Sequence, residues 1–168
     1  MARITLLRHG KAEEPSHSTA DFDRALSSRG VSSARKMGLF LKEQRMLPDL
    51  ILASPAQRTR QTYELATESW PDIPCQFVDS IYEASASGLM FLLEEQAAHI
   101  ENVMIIGHNP SLVVLLNHMV DPRHNDGNLS YFPTCCMADL GFADRTIGTI
   151  EPGEGRLLSM VRVRDLAR

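Results

Sequence analysis

Cysteine is scarce and badly placed for a structural role. The 168-residue chain has three, Cys75, Cys135 and Cys136, an odd number with no Cys-x-x-Cys pair. Neither a disulfide framework nor a zinc knuckle is suggested, and the thiols read as ordinary core or surface residues. None of them has arginine six positions on, so a Cys-x5-Arg phosphate loop is missing, and no Gly-rich Walker sequence occurs. Any nucleophile must be something other than cysteine. An excess of positive charge is missing too. A net charge of -4 argues against a nucleic-acid partner, whose phosphates demand a basic face, while leaving room for a local cationic pocket. No apolar run approaches the length of a membrane span, and the N-terminal "MARITLLRHG" has a single arginine before an apolar run too short for a signal peptide. The expectation is a cytoplasmic protein with no membrane partner. Internal repeats and low-complexity runs are also lacking, and the length fits one domain over residues 1–168.

What is present alternates. Apolar runs of strand length stand at 3–7, 50–53, 103–107, 135–142 and 157–163. Between the first three, Val31, Ala34, Met37 and Leu41, and then Tyr63, Ala66 and Trp70, recur at helical spacing; Leu89 to Ala97 suggests one more packed helix. Strands alternating with helices imply parallel neighbours joined by right-handed crossovers. The expected fold is a three-layer α/β/α sandwich with a mostly parallel central sheet, the last strands being free to run either way. The segment "DPRHNDGNLSYFP" (121–133) reads as a long loop, and "EPGEGR" (151–156) as a tight turn joining the last two strands.

In such a sheet, ligands bind beyond the carboxyl ends of the strands. The first strand ends on Arg8-His9-Gly10, the second runs into "SPAQRTRQT" (54–62), and the third into "GHNPSL" (107–112). "SPAQRTRQT" has the form of a helix start, with Ser54 as N-cap, Pro55 at the first helical position and Gln57 completing a capping box. Asn109-Pro110 repeats that design, with His108 just before the cap. Free N–H groups at two helix starts beside Arg8 and Arg58 describe an anion site, and phosphate is the natural occupant. The two guanidiniums can stabilise charge on an attacked phosphoryl group without a metal, and they disfavour a third positive charge, leaving His9 neutral and nucleophilic near pH 7. Gly10 permits close backbone approach just after it.

"LLRHGKAE", "SPAQRTRQT" and "GHNP", in that order, resemble the histidine phosphatase superfamily, with its phosphoglycerate-mutase-like fold. The short chain and "DFDRALSSRG" (21–30), similar to the family's Asp-x-x-Leu-Thr-x-x-Gly helix entry, bring it closer to the small SixA-like phosphohistidine phosphatases. The resemblance covers roughly the first two thirds of the chain. It implies that His9 accepts the phosphoryl group as a covalent phosphohistidine, and that Arg8, Arg58 and His108 bind the phosphoryl oxygens with help from Asn109. Larger members carry an acid after the next strand; the candidate here is Glu83 in "SIYEASASG", set against a plain surface carboxylate. About twenty residues separate Glu83 from the strand at Val103, which leaves no room for a sizeable lid. An open site and a weak acid position favour a P–N substrate, which asks less of a proton donor than an alkoxide does. The expected partner is a phosphorylated protein bearing phosphohistidine, the alternatives being a small phosphoester substrate or a phosphate-binding module without turnover. No cofactor and no metal are expected, since His17, His99, His118 and His124 lack the pairing typical of metal ligands.

Overall fold

A computed structural model describes residues 1–125 and 129–166. Six strands form one sheet in the order β3-β2-β4-β1-β5-β6. They are β1 (Ala2–Arg8), β2 (Leu50–Ala53), β3 (Cys75–Phe77), β4 (Asn102–Gly107), β5 (Met137–Phe142) and β6 (Arg156–Val161). β1, β4, β2 and β3 run parallel, and β5 and β6 pair antiparallel on the far side of β1. The helices are α1 (Ser28–Glu43), α2 (Gln57–Thr67), α3 (Ala86–Glu94) and α4 (Ser111–Met119).

Strand side chains alternate between two cores. Ile4, Leu6, Leu52, Val103 and Ile105 enter one, packed by Leu89 and Leu93 of α3 and Leu112, Leu115 and Leu116 of α4. Leu7, Ile51, Met104 and Ile106 enter the other, with Met37 and Leu41 of α1 and Trp70. Covering both faces is what makes the central strands read as continuous apolar runs. The α/β/α sandwich expected from the alternation is therefore the fold observed. Among the described residues, no helix is long and apolar enough to cross a membrane.

Some boundaries differ from those expected. β3 escaped detection because "CQF" is a three-residue edge strand with no buried residue. Cys135 and Cys136 precede β5 rather than opening it: Cys135 takes a left-handed φ of 56°, and its N–H bonds back to the carbonyls of Arg8 and His9. β5 and β6 pair as neighbours, but residues 143–155 join them through a 3-10 turn at Ile147–Thr149, so "EPGEGR" is only the end of that connection. Trp70 lies past the end of α2 and is anchored by its indole N–H donating to the Gly38 carbonyl. In the expected loop 121–133, Asp121 caps a 3-10 turn at Pro122–His124, while residues 126–128 lie outside the described residues.

Strand register determines what meets at the sheet's carboxyl edge. Arg8 stands beside Gly107, and Ala53 beside Ile106. The next backbone N–H groups continue the ladder, from His9 to the Gly107 carbonyl and from Ser54 to the Ile106 carbonyl. His9, Ser54 and His108 thus leave three adjacent strands at one level.

Candidate active site

His9 is buried, with 7% of its surface exposed. Its Nδ1 lies 2.7 Å from the Gly10 carbonyl oxygen. A carbonyl can only accept, so Nδ1 carries the proton and Nε2 keeps the lone pair. Burial is the main influence on its pKa, pushing it down to about 3; the Gly10 carbonyl opposes this, and His108, Arg58 and Arg8 add to the depression. Neutrality at pH 7 therefore rests first on desolvation and only second on the neighbouring cations that the sequence pointed to.

The turn carrying His9 is held by close backbone contacts. Gly10 donates its N–H to Thr62 Oγ1 at 2.9 Å, and that hydroxyl donates to the Arg58 carbonyl four residues earlier on α2. A side chain on Gly10 would meet the Gly30 carbonyl at 2.9 Å, and one on Gly30 would meet the Lys11 carbonyl at 2.1 Å. The start of α1, capped by Ser27, therefore packs directly on the His9 turn.

His108 lies beside His9, with ring centroids 5.1 Å apart. Its Nε2 and Ser54 Oγ share a 2.7 Å hydrogen bond, while Ser54 Oγ also accepts the Ala56 N–H at 3.3 Å. The imidazole is the acceptor within reach of the Ser54 hydroxyl among the described residues, so Ser54 donates and the His108 proton resides on Nδ1. That N–H is buried and has no partner among the described residues. Burial first, and then Arg58, hold the His108 pKa down at about 4.

Arg8 donates from Nη1 to the Phe132 carbonyl at 3.1 Å, and burial together with Arg58 lowers its pKa. Arg58, 7% exposed in the first turn of α2, is held by Asp21: Nη1 donates to its main-chain oxygen at 2.8 Å and Nη2 to its carboxylate at 3.2 Å. The Tyr82 hydroxyl donates to the same carboxylate at 2.6 Å, and the Tyr82 ring lies edge-on to His108 and Phe22. Among the described residues, the Nε atoms of Arg8 and Arg58 have no hydrogen-bond partner and are buried, as is His108 Nδ1. The arrangement joins a neutral imidazole to two guanidiniums and an imidazole N–H, a set suited to a group carrying several anionic oxygens.

Arg8, His9, Arg58 and His108 thus come together. Asn109 stands behind them, its amide donating to the Phe132 carbonyl that also receives Arg8. Two caps are corrected. Ser54 is fully buried against His108, and α2 starts only at Gln57 with no side-chain cap at Ala56. α4 starts at Ser111 after Pro110, because the Asn109 side chain is engaged by Phe132. Glu83 is exposed and makes no hydrogen bond or ion pair with a described residue. Sequence reasoning missed Asp21, Ser54 as a partner of His108, Thr62 and Tyr82. Asp21 stood in "DFDRALSSRG", taken only as a helix entry, and Tyr82 directly precedes Glu83 in the chain.

The sequence profile of the Histidine phosphatase superfamily (branch 1) matches residues 4–90. A crystal structure from Agrobacterium tumefaciens, of a protein provisionally named as the phosphohistidine phosphatase SixA, is 30% identical and superposes with a TM-score of 0.82 over 96% of this chain and 97% of that one. The protein histidine phosphatase SixA in complex with tungstate, 20% identical, shares the fold with a TM-score of 0.80 over 98% of this chain and 99% of that one. An uncharacterised protein of Mycobacterium tuberculosis strain H37Rv is 26% identical over 152 residues, covering 88% of this chain and 93% of its own length. The profile match takes in the Arg8-His9-Gly10 turn and Arg58, and the chain belongs to the histidine phosphatase superfamily, branch 1.

Proposed function

We propose that the chain, as one domain over residues 1–168, is a phosphatase that works through a covalent phosphohistidine on His9 and removes the phosphoryl group from phosphohistidine on a protein. The observation that carries the reading is the His9 tautomer: with Nδ1 donating to the Gly10 carbonyl, Nε2 holds its lone pair beside Arg8, Arg58 and the His108 N–H. Nε2 attacks phosphorus as the bond to the substrate imidazole breaks, and that imidazole, protonated by solvent on its other ring nitrogen, departs neutral. Water then attacks the phosphohistidine as its P–N bond breaks, giving its proton to solvent and freeing neutral His9 and inorganic phosphate. Arg8 and the His108 Nδ1–H stabilise the equatorial oxygens. Arg58 supplies charge from a guanidinium held by Asp21, and Asn109 braces Arg8 through the shared Phe132 carbonyl.

An imidazole leaving group suits this site because Glu83, the acid named from sequence, is solvated and unpaired among the described residues. A P–N bond needs less help from such a group than an alkyl ester does. The likeness to the Agrobacterium protein supports the same substrate class.

The test compares a phosphohistidine protein with p-nitrophenyl phosphate and small sugar phosphates, using wild type and His9→Ala. The expected outcome is preference for phosphohistidine and loss of at least about 1,000-fold of turnover in His9→Ala, the scale typical of removing a covalent nucleophile. Preference for small esters would replace the substrate and keep the mechanism; phosphate binding with no turnover would sink both.

A further inference from the structure

A second cationic region borders the catalytic turn without belonging to it. Arg29, Lys36, Arg162 and Arg164 line a groove of about 460 Å³, together with Tyr131 and Thr134, and among the described residues no carboxylate lines it. The concentration of charge stands out in a chain whose net charge is -4. Among the described residues, Arg29, Lys36 and Arg162 form no ion pair; the Asp165 carboxylate lies 3.7 Å from Arg164 and accepts the Arg162 backbone N–H at 3.3 Å. The guanidinium carbons of Arg162 and Arg164 lie 5.0 and 5.5 Å from the Tyr131 ring centroid, so two forked donors gather on one ring. Arg29 occupies the first turn of α1, where the helix dipole disfavours a cation and no acidic residue compensates. Folding alone gives no reason for that placement.

The groove and the catalytic pocket share a wall. Tyr131 and Thr134 face the groove, while the Phe132 carbonyl between them receives Arg8 and Asn109. A polymer carrying its phosphoryl group at His9 could therefore run on into the groove.

We propose that this groove docks an acidic stretch of the phosphoprotein substrate, Asp and Glu side chains meeting Arg29, Lys36, Arg162 and Arg164. The docking rests on the phosphoprotein reading above for its role, though not for its existence. Its concave shape and paired guanidinium forks fit individual carboxylates better than a flat lipid surface.

Two measurements on the full chain test it, with wild type and Lys36→Glu/Arg164→Glu, both exposed positions. The first is fluorescence anisotropy of a fluorescein-labelled, unphosphorylated Asp/Glu-rich decapeptide, with phosphatidylserine vesicles sedimented in parallel. The second is turnover of two phosphohistidine peptides, one flanked by acidic and one by Gly/Ser residues, beside p-nitrophenyl phosphate. Expected are salt-sensitive binding of the decapeptide weakened at least about tenfold in the variant, and KM for the acidic peptide raised about tenfold. The Gly/Ser peptide and p-nitrophenyl phosphate should turn over as in wild type, which also reports an intact fold. Equal decapeptide binding by both proteins, or none by wild type, overturns the docking; charge-dependent vesicle binding without peptide binding overturns it in favour of a membrane. If the decapeptide binds as expected and neither phosphohistidine peptide is cleaved while p-nitrophenyl phosphate is, the groove stands and the substrate reading fails.

Discussion

Keeping two imidazoles neutral inside the fold should make the protein sensitive to acid in a way that removing one histidine measurably relieves. The ordinary histidine value of 6.5 falls to about 3 for His9 and about 4 for His108. At about 1.4 kcal/mol per pH unit, these differences oppose protonation in the native state by about 5 and about 3 kcal/mol. Both residues are only 7% exposed, so solvent screening takes little from those figures. The folded pKa lies below the unfolded one, so the unfolded chain binds the extra protons. The stability each histidine confers is complete above pH 6.5 and drains away as pH falls toward 4 and then 3. At pH 5 each costs about 2 kcal/mol relative to pH 8, about 4 together, a large share of the roughly 5–15 kcal/mol of a typical domain. His9→Gln removes one of the two while leaving a polar side chain in place, and His9 is not among the influences on His108. Urea unfolding of both proteins at pH 8 and pH 5 provides the comparison. The loss of unfolding free energy between those pH values should be about 2 kcal/mol smaller in the variant. A difference under about 0.5 kcal/mol would falsify the claim that desolvation holds His9 neutral. The same reasoning puts the acid limb of kcat/KM near pH 4 rather than near 6.5.

Two further substitutions probe how the pocket is held. Ser54→Ala deletes the hydroxyl that fixes the His108 tautomer and leaves Nε2 buried without a partner, so about 1–3 kcal/mol of stability should be lost and kcat should drop about tenfold; unaltered turnover in a folded variant would remove Ser54 from the site. Gly30→Ala places a methyl 2.1 Å from the Lys11 carbonyl, so α1 must retreat from the His9 turn at a cost of about 1–3 kcal/mol, read as a lower urea midpoint; a midpoint equal to wild type would mean that the contact is slack.

The sandwich was legible because its central strands are buried on both faces, which leaves apolar runs in the sequence, and because the helices between them repeat at helical spacing. β3 left no such signal: an edge strand with an exposed Gln76 between two half-buried residues has little apolar surface to reveal it. Helix starts were misread for a related reason. Ser54 and Asn109 carry the chemistry of caps, but tertiary partners claim their side chains first, His108 for one and Phe132 for the other.

The sequence alone determined which reactive groups exist and that they leave the ends of strands: Arg8, His9, Arg58 and His108 needed only strand ends and order along the chain. Their chemical states came from the tertiary structure. A tautomer depends on which carbonyl or hydroxyl a ring nitrogen meets, as His9 meets Gly10 and His108 meets Ser54. A pKa depends on how much water the surroundings exclude, which burial between sheet and helices decides. Asp21 reached Arg58 across 37 residues and Tyr82 reached Asp21 across 61, distances in sequence that no local pattern spans. "LLRHGKAE" names the proposed nucleophile, and the packing around it makes the imidazole neutral and frees its Nε2.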